Sequence, residues 1–170
     1  MLRIAGLLAV AGGIAATLPS LDQMGPPIHG LRVAELRDTF NEVHNGHPHE
    51  AIDIMAPRGT AVVAVVSGTI RKLFLSKPGG NTIYQFDEPQ VYCYYYAHLD
   101  RYAEGLREGM HVARGETIGY VGSTGNADPG APHLHFTVFE LGPEKQWWKG
   151  KAIDPFPELV EAVKRGGAPK

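Results

Sequence analysis

The sequence predicts an all-β domain of short strands with one short C-terminal helix. Three observations carry that expectation. Glycine (21) and proline (13) both exceed average usage in the 170 residues, which favours short elements joined by tight turns over long helices. Runs of β-branched and aromatic residues recur between turn signals. One segment, 157–165, has helical apolar spacing and a glycine just after it.

Taken in order, residues 1–18 (MLRIAGLLAVAGGIAATL) carry one positive charge, at Arg3, and then an uncharged apolar stretch. This reads as a signal peptide or N-terminal anchor, shorter than the roughly 20 residues that span a bilayer comfortably. Residues 19–30 hold Pro19, Pro26, Pro27 and two glycines without hydrophobic periodicity, so a linker is expected there. The folded domain is then 31–170. Residues 31–40 suit one or two helical turns, which Gly46 and Pro48 stop. Strands are expected over 60–66, 69–75, 82–86, 91–97, 116–121 and 133–139, with a glycine- and proline-rich loop over 122–132. The helix at 157–165, closed by Gly166, places Leu159, Val160 and Val163 on one side and should pack as a terminal lid.

Composition narrows the function classes. Sixteen Lys and Arg against 18 Asp and Glu leave a net charge of −2, with 20% charged and 44% hydrophobic residues. That balance excludes a disordered chain and a nucleic-acid binder driven by positive charge. Cys93 is the single cysteine, so one chain can build neither a disulfide nor a cysteine-based zinc cluster. It reads as a buried strand residue. Histidine and carboxylate remain as metal ligands.

There are eight histidines: His29, His44, His47, His49, His98, His111, His133 and His135. His133 and His135 stand two apart in a strand-like run, so they share a face about 6–7 Å apart and both reach one site. One can bind metal while the other handles protons. His49 and Asp53 stand four apart, and a straight strand would separate them by ~13 Å, so the chain must bend between them. A zinc-binding helix starting at His49 and Glu50 is opposed by Pro57 and Gly59 and the β-branched run beyond. Glu50 is therefore expected to face solvent, in a turn leading into a strand at Ile52. Two imidazoles and one carboxylate make a three-ligand zinc site with an open fourth position. Such a metal carries formal charge +1 and lowers the pKa of a bound water to about 7. His98 and His133 are candidates to accept a proton and stabilise an oxyanion.

H-x-x-x-D at 49–53, Y-x-H-L at 96–99, G-x-x-G-x-T-G-N at 119–126 and H-L-H-F at 133–136 stand in the order of the lysostaphin-like zinc metallopeptidases, which the chain resembles over about 36–157. The resemblance implies that His49, Asp53 and His135 bind one zinc per chain. It implies that His98 and His133 are catalytic, that the fold is a mainly antiparallel small barrel-sandwich built on a duplicated hybrid motif, and that the substrate is a peptide bond in peptidoglycan cross-links or stem peptides. One departure is Ala51, where the family usually has glycine; its methyl group tightens the bend without removing a ligand.

On a regular strand Tyr92, Tyr94 and Tyr96 share the face of His98, and Tyr96 is the one expected to touch substrate. Asn81 and Asn126 either bond substrate or shape turns, with Asn81 taken as substrate-binding. Trp147 and Trp148 either line a glycan or peptide surface or pack as an exposed edge. His29, His44, His47 and His111 have no partner at a telling spacing. The expectation is an exported zinc endopeptidase of the periplasm or cell envelope, a secretory signal being preferred to a permanent anchor and the N-terminal segment being the one part that could attach it to a membrane. The alternative is a non-catalytic cell-wall-binding regulator that activates another murein hydrolase. A lipoyl- or biotinyl-type carrier lacks its hairpin lysine here.

Overall fold

The computed structural model describes residues 21–44 and 46–166. The leader expected over 1–18 lies outside the described residues. In chain order the strands are β1 (Val43–His44), β2 (His47–Pro48), β3 (Ile52–Met55), β4 (Ala61–Val63), β5 (Gly68–Ser76), β6 (Gly80–Asp87), β7 (Tyr92–Tyr102), β8 (His111–Val112), β9 (Thr117–Val121), β10 (His133–Leu141) and β11 (Gly150–Ile153), followed by helix α1 (Phe156–Gly166). β1 and β2 form a separate ribbon. The rest make one sheet in the order β11-β10-β7-β6-β5-β8, with β3 also on β10, β9 on β7 and β4 on β9. The domain is all-β with a short C-terminal helix, as expected. It is not a closed barrel, because the path runs open from β11 to β8.

Two long strands change partners along their length, and this builds the site. β7 pairs with β10 over 92–97 and with β9 over 99–102, the change falling at His98. β10 pairs with β3 over 133–136 and with β11 over 138–141. One face of the sheet is the core: Ile54, Ile83, Tyr94, Tyr96, Leu134 and Phe136 lie on it, fully or almost fully buried. The opposite face carries a smaller apolar cluster of Phe86, Cys93 and Leu141, with Tyr84, Phe139 and Trp147 packed against it. Cys93 is 1% exposed, the buried strand residue expected.

The segment 19–30 is not a linker from Leu21 onward. Leu21, Met24 and Ile28 enter the main core, Gly25 N–H donates to Val65 O, and Pro27 O accepts Val63 N–H. The Arg165 guanidinium of α1 donates to the carbonyls of Asp22 and Met24. Proline and glycine remove periodicity here, yet the backbone finds its partners in the sheet and in α1 rather than in itself. Residues 31–40 form one 3-10 turn, Val33–Glu35. α1 buries Leu159, Ala162 and Val163, burial worth about 1.5–3 kcal/mol for each larger side chain.

Candidate metal centre

The bend between His49 and Asp53 is made at Glu50, whose φ of +54° lies in the left-handed region. The side chain of Glu50 is exposed, as expected. Its backbone is held from two sides: its N–H donates to Phe40 O, and the Thr137 hydroxyl donates to its carbonyl. Ala51 is fully buried and has no positive φ, so its methyl group strains nothing. In β3, Ile52 and Ile54 point into the core, which turns Asp53 to the opposite face. There Asp53 stands directly across from His135 of β10. Cross-strand register, and not sequence proximity, joins these two side chains.

His98 reaches the same place through a bulge. Between Asn81/Leu99 and Ile83/Tyr96 the register shifts, so β7 carries one residue more than β6. His98 has φ +59°, and its N–H donates to Gly79 O at 2.8 Å. The alternation flips there: the His98 ring lies 4.9 Å from that of His133 and 5.4 Å from that of His135, centroid to centroid. A regular strand would have sent it to the core side with Tyr96.

The flip corrects the tyrosine assignment. Tyr96 is 0% exposed, and its hydroxyl accepts Val65 N–H at 3.1 Å and donates to Gln85 Oε1 at 2.9 Å. It is a core residue with no path to substrate. Tyr95 is the tyrosine on the site's face, its ring 6.0 Å from that of His135. Asn81 turns inward as well, its side-chain amide donating to the carbonyls of Leu99 and Asp100 at 3.1 Å each. It braces the chain behind His98.

Three ligand atoms form a nearly equilateral triangle. His49 Nε2 lies 3.2 Å from His135 Nδ1, His135 Nδ1 lies 3.1 Å from Asp53 Oδ1, and His49 Nε2 lies 3.2 Å from Asp53 Oδ1. Among the described residues this is the group whose ligand atoms all lie within 4.8 Å of one another. A tetrahedral site with bonds of 2.0–2.1 Å has edges of about 3.3 Å, which the triangle nearly matches. The tautomers agree with that use. A carbonyl can only accept, so His49 Nδ1, 3.0 Å from Thr39 O, carries the proton and Nε2 presents its lone pair. By the same argument His98 donates Nδ1–H to Thr124 O at 2.8 Å, and His133 donates to Ala131 O at 2.9 Å. Lone pairs gathered this closely call for a proton or a cation among them, and two nitrogens with one oxygen suit zinc.

Electrostatics keeps the cluster ready for a cation. Burial pushes the Asp53 carboxyl up, but the hydrogen bond and charge of His135, with His49 and His133, outweigh it and hold it below its usual range. His135 is lowered, chiefly by burial, which the Asp53 contact only partly offsets. His98 is brought down to about 4, again chiefly by burial. His133 Nε2 faces Asp53 Oδ2 at 3.8 Å.

Residues 47–155 match the sequence profile of Peptidase family M23. The chain belongs to peptidase family M23. It is 34% identical over 116 residues to the L-Ala–D-Glu endopeptidase of Bacillus subtilis (strain 168), covering 65% of this chain and 34% of that protein. It is 31% identical over 118 residues to the peptidoglycan DD-endopeptidase ShyC of Vibrio cholerae, covering 64% of this chain and 26% of that protein. Among solved structures it resembles the catalytic domain of the antimicrobial peptidase lysostaphin from Staphylococcus simulans. The TM-score there is 0.58 at 32% identity, over 81% of this chain and 88% of that one. The chain therefore spans about a third or less of the curated relatives' length.

Within the M23 frame all five histidine and aspartate positions singled out from sequence come together: His49, Asp53 and His135 in the triangle, His98 and His133 beside it. His111 stands apart, paired with Glu88 at 2.6 Å, and His29 and His47 are exposed. Trp147 packs on Tyr84 at 4.7 Å between ring centroids, while Trp148 is 63% exposed. Two supporting residues went unrecognised. Thr124 sits inside the G-x-x-G-x-T-G-N motif, which was a signal for it. Thr39 had none.

Proposed function

We propose that the chain is a zinc-dependent metalloendopeptidase that hydrolyses peptide bonds in peptidoglycan cross-links or stem peptides. The observation that carries this reading is the His49–Asp53–His135 triangle with two further imidazoles, His98 and His133, beside it. The two M23 relatives, an L-Ala–D-Glu endopeptidase and a peptidoglycan DD-endopeptidase, support the substrate class. In this reading one zinc sits at the triangle. The leader over 1–18 would export the chain to the periplasm or cell envelope, where peptidoglycan lies. Among the described residues no helix is long and apolar enough to cross a membrane.

Zinc at this position would polarise the scissile carbonyl and lower the pKa of a water. The chain's own residues do the rest. His49 would ligate through Nε2, Asp53 through Oδ1 and His135 through Nδ1, which places the His135 proton on Nε2. His98 and His133 have both committed their Nδ1–H to carbonyls, so each faces the site with an Nε2 lone pair. Either can take a proton from the attacking water. The ring that takes it becomes a donor, able to bond the oxyanion and then to protonate the leaving amine.

Mass spectrometry of fragments released from purified peptidoglycan, with zinc and with chelator, tests the proposal. His49→Ala, Asp53→Ala and His135→Ala should lose zinc and release together, whereas His98→Ala should keep zinc and lose about 10²–10⁴ in kcat. Zinc-loaded wild-type chain that releases nothing overturns the hydrolase reading in favour of a wall-binding regulator.

A further inference from the structure

The family match begins at residue 47, yet the metal centre is braced by a residue upstream of it. Thr39 is 7% exposed and uses its backbone and its side chain on the two nearest ligands. Its carbonyl accepts the His49 Nδ1 proton at 3.0 Å and Glu42 N–H at 3.1 Å, which occupies both of its lone pairs. Its hydroxyl accepts Asp53 N–H at 3.0 Å and donates to Ala51 O at 3.0 Å. The bend between the ligands is thus tied to one residue at both ends. His49 N–H donates to Glu42 O at 2.8 Å, so the imidazole is gripped through ring and backbone by the same short segment.

From this geometry we infer that Thr39 is a positioning residue of the metal centre. It holds His49 in the Nδ1–H tautomer with Nε2 aimed into the triangle, and it pins the start of β3 so that Asp53 stays opposite His135. The segment that precedes the family's own boundary then sets how tightly this chain holds its metal. An imidazole ligand whose second nitrogen is bonded to a fixed acceptor loses no rotational freedom on binding, and removing such outer partners typically costs 10–100-fold in metal affinity. The inference rests on the zinc reading above, since Thr39 acts only through His49 and Asp53.

The full chain tests it, with zinc affinity read by competition against a chromophoric chelator and the imidazole tautomers read by long-range proton–nitrogen NMR. The wild-type spectrum should show the His49 proton on Nδ1. Thr39→Val removes the hydroxyl at nearly constant shape and keeps the carbonyl on His49, so it frees only the start of β3 and should weaken zinc by about tenfold, the low end of that range, while Thr39→Ser, which restores the hydroxyl, should stay within about threefold. Thr39→Ala replaces the valine variant should that one fail to fold, folding being judged by the thermal transition of the metal-free protein. A His49 proton found on Nε2 in the wild type overturns the inference without any variant. Unchanged zinc affinity in a folded Thr39→Val also overturns it. Wild type that binds no zinc, or His49→Ala that binds it as tightly as wild type, brings down the zinc reading and the inference together.

Discussion

Tyr96 separates a core role from a substrate role more sharply than any other residue. Tyr96→Phe removes one oxygen and leaves the ring against Phe136, 5.4 Å away between centroids. That oxygen serves two buried partners, Val65 N–H and Gln85 Oε1. Gln85 is fully buried and its amide nitrogen already donates to Val66 O, so it cannot swing out to water. One buried donor and one buried acceptor are left unpaired, each at about 1–3 kcal/mol, for a total of about 2–6 kcal/mol. Against a typical stability of about 5–15 kcal/mol, and with an m value of about 2 kcal/mol/M, the urea midpoint should fall by about 1–3 M. At 20 °C, well below its unfolding transition, the zinc-loaded variant should keep kcat/KM on a soluble stem-peptide substrate within about twofold, an effect under 0.5 kcal/mol. An unchanged midpoint together with a tenfold or greater loss of kcat/KM would refute the reasoning and return the hydroxyl to the substrate.

Gly80 has φ +64°, and a Cβ there would overlap the backbone of Thr124 and Gly125. Gly80→Ala should therefore cost about 2–5 kcal/mol from the left-handed backbone and overpacking. Because Thr124 O holds His98, turnover should fall more than zinc affinity; a denaturation midpoint equal to wild type would contradict this. His98 sits at its ordinary value near 6.5 in the unfolded chain but near 4 in the native one, so between those values the unfolded state binds more protons. The contribution of neutral, buried His98 to the stability of the metal-free protein is then fully present above about pH 6.5 and is lost as the pH falls toward 4. Urea midpoints at pH 7 and pH 5 should show the drop, and His98→Gln should shrink it to the part left by His135, which burial lowers in the same direction. Cys93 is 1% exposed and burial raises its thiol, so a disulfide-forming thiol reagent should label it only after denaturation. Rapid native labelling would show that β7 opens.

Much of the site was legible because its residues occur as short motifs. His133 and His135 needed only the two-residue period of a strand, and that period held. The H-x-x-x-D spacing announced a bend, but not which residue makes it; Glu50 does, through a backbone conformation that no side-chain pattern encodes. Tyr96 failed for a related reason. The period-two argument is sound up to Ala97, but the extra residue at His98 reverses the alternation. Residues 19–30 failed because their backbone partners, Val63 and Val65, lie about 40 residues away along the chain.

Local pattern by itself determined the all-β class, most strand positions and the terminal helix, because each depends on spacing within about ten residues, and the motifs shared with the family added the five histidine and aspartate residues at the centre. Only the tertiary structure decided which of them meet. Asp53 and His135 are neighbours through the β3–β10 register, His98 joins them through a bulge fitted against β6, and His49 is aimed by Thr39 and Glu42. Register, bulge and clamp are set by backbone hydrogen bonds between distant segments. Those bonds are made by groups that every residue carries alike, and so they leave no mark in the order of the side chains.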